Sequence, residues 1–208
     1  MAEWRNLASD EDATYDKEYS IDARSIAPMV TWGNSPEDAI AVDGPIPRPS
    51  DARNRAQQSR WERALSYVNL QPGKPIMGTP IDVAFIGSCT NARLSDLRAA
   101  ARVVEGRKVA ETVRALVVPG SSSVKRQAEA EGLDQIFRSA GFEWHESACS
   151  LCASLGPDVV GRGKRCASTS NRNFENRQGP GAITHLMSPP MVAAAAVTGS
   201  ITDIRTFA

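Results

Sequence analysis

Apolar residues in the second half of the chain alternate between two spacings. Residues 81–86 form a short, largely apolar run, and Leu94, Leu97 and Ala101 then recur at the spacing of a helix face. Residues 115–118 form a second apolar run, which leads through a series of serines into another helical stretch. Because strand–turn–helix units in succession build parallel sheets, this pattern predicts an α/β fold.

Further elements follow from local sequence signals. Residues 133–140 are predicted to form a helix that Gly141 ends, and residues 142–145 and 165–169 are predicted strands. An alanine-rich helix is predicted for residues 191–197, because prolines precede this stretch and a glycine follows it. We therefore predict a three-layer α/β/α domain around a mainly parallel sheet.

The first part of the chain has a different composition. Residues 1–80 are rich in Pro, Asp, Ser and Arg, which favours long loops. A helix is predicted for residues 52–67, where Trp61 and Leu65 have helical spacing. We expect residues 1–80 to form a loop-rich N-terminal arm and connecting segment that packs on another part of the protein, and residues 81–208 to form the α/β domain.

The balance of charges narrows the range of partners. The chain has 24 Lys plus Arg and 24 Asp plus Glu among 208 residues, so no overall positive field would attract nucleic acid or an anionic membrane. The acidic amino-terminal stretch shows no secretory or transit signal, and no apolar run is long enough to span a membrane. We expect a cytoplasmic protein that has neither nucleic acid nor a membrane as a partner.

Cysteine spacing indicates a metal site. Cys149 and Cys152 are close in sequence, and two thiolates on one turn can bind a soft metal centre together. Cys89 follows the first predicted strand, and the carboxyl ends of parallel strands converge at one edge of a sheet. His145 is also near the pair, so spacing alone leaves a tetrahedral zinc site open. We expect Cys166 to be a buried strand residue.

A pair of arginines lies in a polar stretch after the predicted strand at residues 165–169. Arg172 and Arg177 stand among hydroxyl and amide side chains, and guanidinium groups bind carboxylates in a two-pronged fashion. The stretch can therefore clamp a di- or tricarboxylate, although a solvated polar loop has the same composition. His185 has no partner near it in sequence, and we expect a structural histidine with satisfied hydrogen bonds.

Several of these motifs together resemble one family. Residues 85–91, the pair Cys149 and Cys152, and residues 166–175 are similar in sequence, order and approximate spacing to the large subunit of 3-isopropylmalate dehydratase, in the aconitase superfamily. The resemblance extends over essentially the whole chain and corresponds to the part of that subunit that carries its third, iron–sulfur domain. Asn176 stands where the family usually has glycine, and asparagine tolerates the left-handed backbone that glycine would adopt.

The resemblance implies a cofactor and assigns roles to individual residues. It implies a 4Fe–4S cluster held by three thiolates, those of Cys89, Cys149 and Cys152. Arg172 and Arg177 would bind substrate carboxylate or stabilise the site, and Ser88 and Asn171 would lie beside the cluster. The iron without a thiolate would act as a Lewis acid on the substrate hydroxyl and carboxylate.

The implied reaction is the interconversion of 2-isopropylmalate and 3-isopropylmalate by dehydration and rehydration, a step of leucine biosynthesis. The large subunit of that family is considerably longer, and its amino-terminal half and a small subunit or swivelling domain supply the acid–base groups. We therefore expect the catalytic residues to lie in those partner domains and the chain to be inactive in isolation. We also expect a cluster without its covering domains to be easily lost to oxygen.

The residues themselves leave other functions open. The nearest alternative is an aconitase or homoaconitase type of hydratase that acts on a related 2-alkylmalate or a tricarboxylate. A different class is a non-catalytic binding module stabilised by zinc, which would use His145 with the cysteines. The metal content distinguishes these classes, because iron with sulfide supports a hydro-lyase and stoichiometric zinc supports a binding module.

Overall fold

The structure is a computed structural model that describes residues 3–35, 37–154 and 158–207. Short 3-10 turns lie at both ends of the chain, and a parallel sheet with its helices forms the second part. The strands and helices, in chain order, are β1 (Met29–Thr31), β2 (Ala39–Ala41), α1 (Arg55–Val68), β3 (Val83–Ile86), α2 (Leu94–Val104), β4 (Arg114–Val117), α3 (Ser122–Ala130), α4 (Leu133–Ala140), β5 (Glu143–Trp144), β6 (Arg165–Ser168), β7 (Ile183–Leu186) and α5 (Pro189–Thr198).

The helix ends show the local signals that delimit them. Ser121 precedes α3, and its side chain accepts a hydrogen bond from the Val124 N–H at 3.2 Å. Gly141 and Gly199 follow α4 and α5 in the left-handed conformation that ends many helices. Prolines occupy the first turn of α5, where backbone N–H groups have no acceptor within the helix, so that proline removes no helical hydrogen bond. These ends agree with the bounds that the sequence predicts.

The larger sheet is parallel throughout, with the strand order β5-β4-β3-β6-β7. β3 pairs with β4 on one side and with β6 on the other. The chain therefore adds β4 and β5 on one side of β3, and then adds β6 and β7 on the opposite side. Loops that leave the carboxyl ends of two such strands diverge, and the crevice between them is where open α/β sheets bind their ligands.

The faces of this sheet carry different cores. Along β3, Ala84 and Ile86 belong to the larger core, to which α2, α4 and α5 contribute. Val83 and Phe85 belong to a smaller cluster, and alternation along the strand places that cluster on the opposite face. Leu151, which lies between the paired cysteines, is part of the smaller cluster. The cysteine pair is therefore anchored to the sheet by an apolar side chain.

The first part of the chain joins the larger core through a hairpin and a helix. β1 and β2 pair in antiparallel fashion, and Trp32 after β1 is only 2% exposed. Its ring contacts Trp61 of α1 edge-to-face, with 5.6 Å between the ring centroids. Residues 6–26, in contrast, are all exposed. The division of the chain near residue 80 into an arm and a domain stays a prediction.

The predicted α/β class is confirmed, with a five-stranded parallel sheet flanked by helices. The sequence analysis missed the hairpin, whose strands are three residues long, and it missed β7. Thr184 and His185 make β7 look polar, yet both are buried. None of the helices in the described ranges is long and apolar enough to cross a membrane.

Candidate functional site

The candidate site lies at the carboxyl edge of the parallel sheet, in the loops that follow β3, β4 and β5. The carboxyl ends of β3 and β6 are adjacent at this edge, where the strand order reverses. Thr169, which follows β6 and is fully buried, joins these ends. Its hydroxyl accepts the Gly87 N–H at 2.8 Å and donates to the Gly87 carbonyl at 2.7 Å. Its carbonyl accepts from the Asn91 side chain at 2.8 Å. These hydrogen bonds fix the loop that follows β3.

Cys89 lies in a tight turn within that loop. Ser88 precedes it with a φ of +85°, a conformation that is uncommon and strained for a residue with a side chain. Gly120, after β4, approaches this turn closely, because a Cβ at that position would lie 3.0 Å from the Ala92 carbonyl oxygen. The turn therefore places the exposed Cys89 thiol against the loop that follows β4.

Cys149 and Cys152 share one turn at the start of a segment that is here called the cysteine loop, of which the structure describes residues 149–154 and 158–160. The Cys152 N–H donates to the Cys149 carbonyl at 2.8 Å, which closes the turn. Leu151 between them is fully buried, and the Ser150 hydroxyl donates to Asp158 at 2.9 Å. With Leu151 pointing inward, the Cys149 thiol is exposed and the Cys152 thiol is partly exposed.

All of these thiols line one cavity of about 380 Å³. Its other lining residues have small side chains or none, namely Ser88, Gly120, Ser121, Ser122, Ser147 and Ala148. The structure thus brings Cys89 to the same cavity as Cys149 and Cys152, and it places Ser88 at the wall of that cavity. The small side chains leave the cavity open beside the three cysteines.

Arg177 reaches the thiols from the arginine loop, residues 171–181. Its Nη2 lies 3.5 Å from Cys152 Sγ and donates to Asn171 Oδ1 at 2.9 Å. Its guanidinium also lies over the Phe174 ring, 5.2 Å from the centroid. Arg172 is exposed and is not among the described residues that line the cavity. Of the predicted arginines, only Arg177 is held against a cysteine in the described structure.

Cys166 and His145 lie outside this arrangement. Cys166 is fully buried in β6, and burial raises the pKa of its thiol far above the usual value. His145 Nε2 lies 3.0 Å from Glu143 Oε2, and His145 is not among the described lining residues. Within the described part of the chain, no three His, Cys, Asp or Glu side chains converge closely enough to bind a single metal ion.

The same geometry suits a polynuclear cluster. Each thiolate of a cluster binds a different iron, so the sulfur atoms need not converge on one point. Ser147 Oγ at the cavity and Arg177 Nε near Cys152 are buried and lack a hydrogen-bond partner among the described residues. Buried donors without an acceptor are rare, and cluster sulfur would provide acceptors. The residues that would hold such a cluster are Cys89, Cys149 and Cys152, which line the same cavity.

The sequence analysis missed residues that hold the site together. Thr169 joins the ends of β3 and β6, and Gln178 is fully buried beneath the cysteine loop. Each is a single polar residue in a polar stretch, and its partners are distant in sequence. A pattern of spacing within one segment therefore carries no signal for either residue.

Replacing Gly87 with alanine is expected to lower the free energy of unfolding by about 2 kcal/mol, as overpacking of a buried site does. A Cβ at Gly87 would lie 2.2 Å from the Phe85 ring, and this ring is fully buried and cannot move aside. Urea denaturation measures the loss. Gly161→Ala is the control, because its Cβ would meet only the flexible Lys164 side chain at 3.3 Å. Equal stabilities for the two variants would contradict the expectation.

The described residues thus place three cysteines at one cavity at the carboxyl edge of a parallel α/β sheet, and the Arg177 guanidinium lies beside Cys152. The model of the aconitase family (aconitate hydratase) matches residues 1–199. The chain belongs to the aconitase family, whose members are hydro-lyases that usually bind a 4Fe–4S cluster. The resemblance to the aconitase superfamily is thereby confirmed.

Proposed function

We propose that this chain provides the cluster-binding domain of a hydro-lyase that interconverts 2-isopropylmalate and 3-isopropylmalate in leucine biosynthesis. The observation that carries the proposal is one cavity at the carboxyl edge of the sheet that Cys89, Cys149 and Cys152 all line, with Arg177 beside Cys152. The choice of isopropylmalate is supported by residues 166–175, which resemble the large subunit of that dehydratase.

Each residue of the site has a role in this proposal. Cys89, Cys149 and Cys152 would hold the cluster, whose iron without a thiolate would supply a Lewis acid for the loss and addition of water. Arg177 binds a substrate carboxylate, because Asn171 and the Phe174 ring hold its guanidinium in place. Arg172, which is exposed, is available for a second carboxylate, and Ser88 shapes the wall of the cavity.

Acid–base catalysis needs groups that this cavity lacks. Among the described residues that line it, none is Asp, Glu, His or Lys. A proton donor and acceptor each contribute about 10²–10⁴-fold to such a reaction. We therefore propose that the remaining domains of a large subunit, together with a small subunit or swivelling domain, supply these groups, and that the chain alone is inactive.

Anaerobic incubation of the chain with iron and sulfide is expected to give the absorbance of a 4Fe–4S cluster and, after reduction, its EPR signal. Cys89→Ser, Cys149→Ser and Cys152→Ser are each expected to abolish stable cluster binding, because each removes one thiolate. Cys166→Ala is the matched control and should retain the cluster, since Cys166 is fully buried away from the cavity. Equal cluster content in all four variants would contradict the proposed ligands.

The substrate is tested on the reduced, reconstituted chain. 2-Isopropylmalate is expected to perturb the EPR signal at lower concentration than citrate does, because the proposed site selects an alkylmalate. The reverse order would support a hydratase of the aconitase type. Stoichiometric zinc binding that His145→Ala abolishes, with no uptake of iron and sulfide, would overturn the hydro-lyase proposal in favour of a binding module.

A further inference from the structure

Gln178 is a fully buried polar residue that lies next to Arg177 in the arginine loop. Its side-chain nitrogen donates to the Leu151 carbonyl at 2.9 Å and to Ser168 Oγ at 3.2 Å. Its side-chain oxygen accepts from the Thr184 hydroxyl at 2.7 Å. Both hydrogens of the amide and its oxygen are therefore used, which fixes the orientation of the side chain.

The cysteine loop is attached to Gln178 at two points. The side chain binds the Leu151 carbonyl within the Cys149–Cys152 turn, and the main-chain carbonyl of Gln178 accepts the Val160 N–H at 2.7 Å. Leu151 and Val160 are also both buried in the smaller core. One residue thus holds the start and the end of the loop that presents the paired thiols.

The arginine loop is itself fixed to the rest of the fold. The Tyr67 hydroxyl of α1 accepts the Asn176 N–H and donates to the Ala182 carbonyl, each at 2.8 Å. Asn176 has a φ of +66°, and its side chain accepts the Gly181 N–H at 2.7 Å. These hydrogen bonds lie on both sides of Gln178 in the chain, so the backbone that carries the Gln178 side chain is held on both sides.

We infer that Gln178 is a positioning residue that fixes the Cys149–Cys152 turn relative to Cys89 and to the Arg177 guanidinium. This inference rests on the proposed function, because the placement of the turn matters for chemistry only if its thiols are ligands. The adjacent Arg177 contacts Cys152 Sγ while Gln178 holds the Leu151 carbonyl. The guanidinium and the turn are therefore held at a constant separation by one dipeptide.

Gln178→Met tests this inference, because methionine fills a similar volume and forms none of the three side-chain hydrogen bonds. Loss of the amide leaves the buried Leu151 carbonyl without its donor, so the turn should open more often. Hydrogen exchange of the Cys152 and Ala153 amides, followed by mass spectrometry, is expected to accelerate by about 5–30-fold. Peptides that cover residues 88–92, which contain Cys89, should keep the rate of the unmodified chain.

Two further variants keep the outcome clear. Thr184→Val removes only the hydroxyl that orients the Gln178 amide, and it should cause a smaller acceleration of exchange at the Cys152 and Ala153 amides. This variant tests the role of Gln178 even if Gln178→Met does not fold. Gln127→Met, on the exposed surface of α3, should change nothing. Two results for Gln178→Met would overturn the inference. Hydrogen exchange that accelerates equally over the whole chain would show a purely structural role, and exchange that does not accelerate at the Cys152 and Ala153 amides would show that Gln178 does not hold the turn.

A reconstituted cluster gives the functional readout. Its rate of loss to an iron chelator is expected to rise in Gln178→Met by a similar factor and to stay unchanged in Gln127→Met. The exchange experiment needs no cluster, so the two proposals fail separately. If exchange at the turn is faster in Gln178→Met but the unmodified chain takes up no cluster, the proposed function alone is contradicted. If the cluster forms and Gln178→Met loses it no faster than the unmodified chain does, the positioning role is contradicted.

Discussion

Replacing Asp38 with alanine is expected to lower the free energy of unfolding by about 3 kcal/mol. Asp38 is fully buried in the turn between β1 and β2, and its Oδ1 lies 2.7 Å from Nη1 of Arg60 on α1. Its other oxygen accepts the Ser35 N–H at 3.1 Å. Removal of the carboxylate leaves the arginine without its buried partner and detaches the hairpin turn from the helix.

Glu37→Ala is the matched control for this prediction. Glu37 lies 3.3 Å from the same arginine, but its side chain is 68% exposed, and exposed pairs contribute at most about 1 kcal/mol. Urea denaturation can be followed by tryptophan fluorescence, because Trp32 and Trp61 contact each other between the hairpin and α1. Asp38→Ala and Glu37→Ala variants of equal stability would contradict the assigned role of the buried pair.

Features with local signals were predictable from the sequence. The apolar runs and helical spacings that become β3, α2, β4 and α3 each lie within one segment, and Gly141 and Gly199 end their helices as expected. The shared location of Cys89 and the cysteine pair followed from topology, because the ends of parallel strands meet at one edge. These inferences needed no knowledge of contacts between distant side chains.

Features that depend on distant polar partners could not be predicted in the same way. The hairpin turn is stabilised by Asp38 through Arg60 of α1, and β7 is buried although it carries Thr184 and His185. Gln178 finds its partners in the cysteine loop and in β7. A polar residue has the same appearance in sequence whether it is solvated or buried with a partner, so only the fold distinguishes these cases.

Arg172 and Arg177 show the same limit within the site. Both stand in the same polar stretch and look equivalent in sequence, yet Arg172 is exposed and Arg177 is held by Asn171 and the Phe174 ring. Asn176, which precedes Arg177, adopts the left-handed conformation that asparagine tolerates where the family usually has glycine. The contacts that hold one guanidinium beside Cys152 are made only in the folded loop, so composition could not distinguish the two arginines.

His185 is expected to make the stability of the protein depend on pH below neutrality. It is fully buried in β7, its Nδ1 lies 2.6 Å from the Thr31 carbonyl oxygen of β1, and its Nε2 faces Arg165. Burial, followed by the nearby Arg165 charge, lowers the pKa of His185 to about 3, although the Thr31 carbonyl opposes the shift. The folded protein therefore holds this ring neutral and links the hairpin to the sheet through it.

The sign of the effect follows from proton binding. Between the unfolded pKa of about 6.5 and the folded pKa of about 3, the unfolded chain binds a proton at His185 that the folded protein does not, so stability falls as the pH falls through this window. At 1.36 kcal/mol for each pKa unit, His185 should account for a loss of about 3 kcal/mol between pH 6.5 and about pH 4. Well above the unfolded pKa of about 6.5, where the ring is neutral in both states, its contribution should be constant.

Urea denaturation at a series of pH values tests this expectation by comparison of the unmodified chain with His185→Gln. Glutamine does not titrate, so the variant should be less stable at neutral pH but should lose less stability on acidification. His145→Gln removes the other of the two histidines, which is partly buried beside Glu143, and serves as the control for the loss of a histidine outside the β1–β7 contact. Parallel curves for the unmodified chain and His185→Gln would show that protonation of the buried ring does not oppose folding. The link between β1 and β7 would then depend on hydrogen bonds that do not titrate, such as the Leu186 N–H to Thr31 Oγ1 at 2.7 Å.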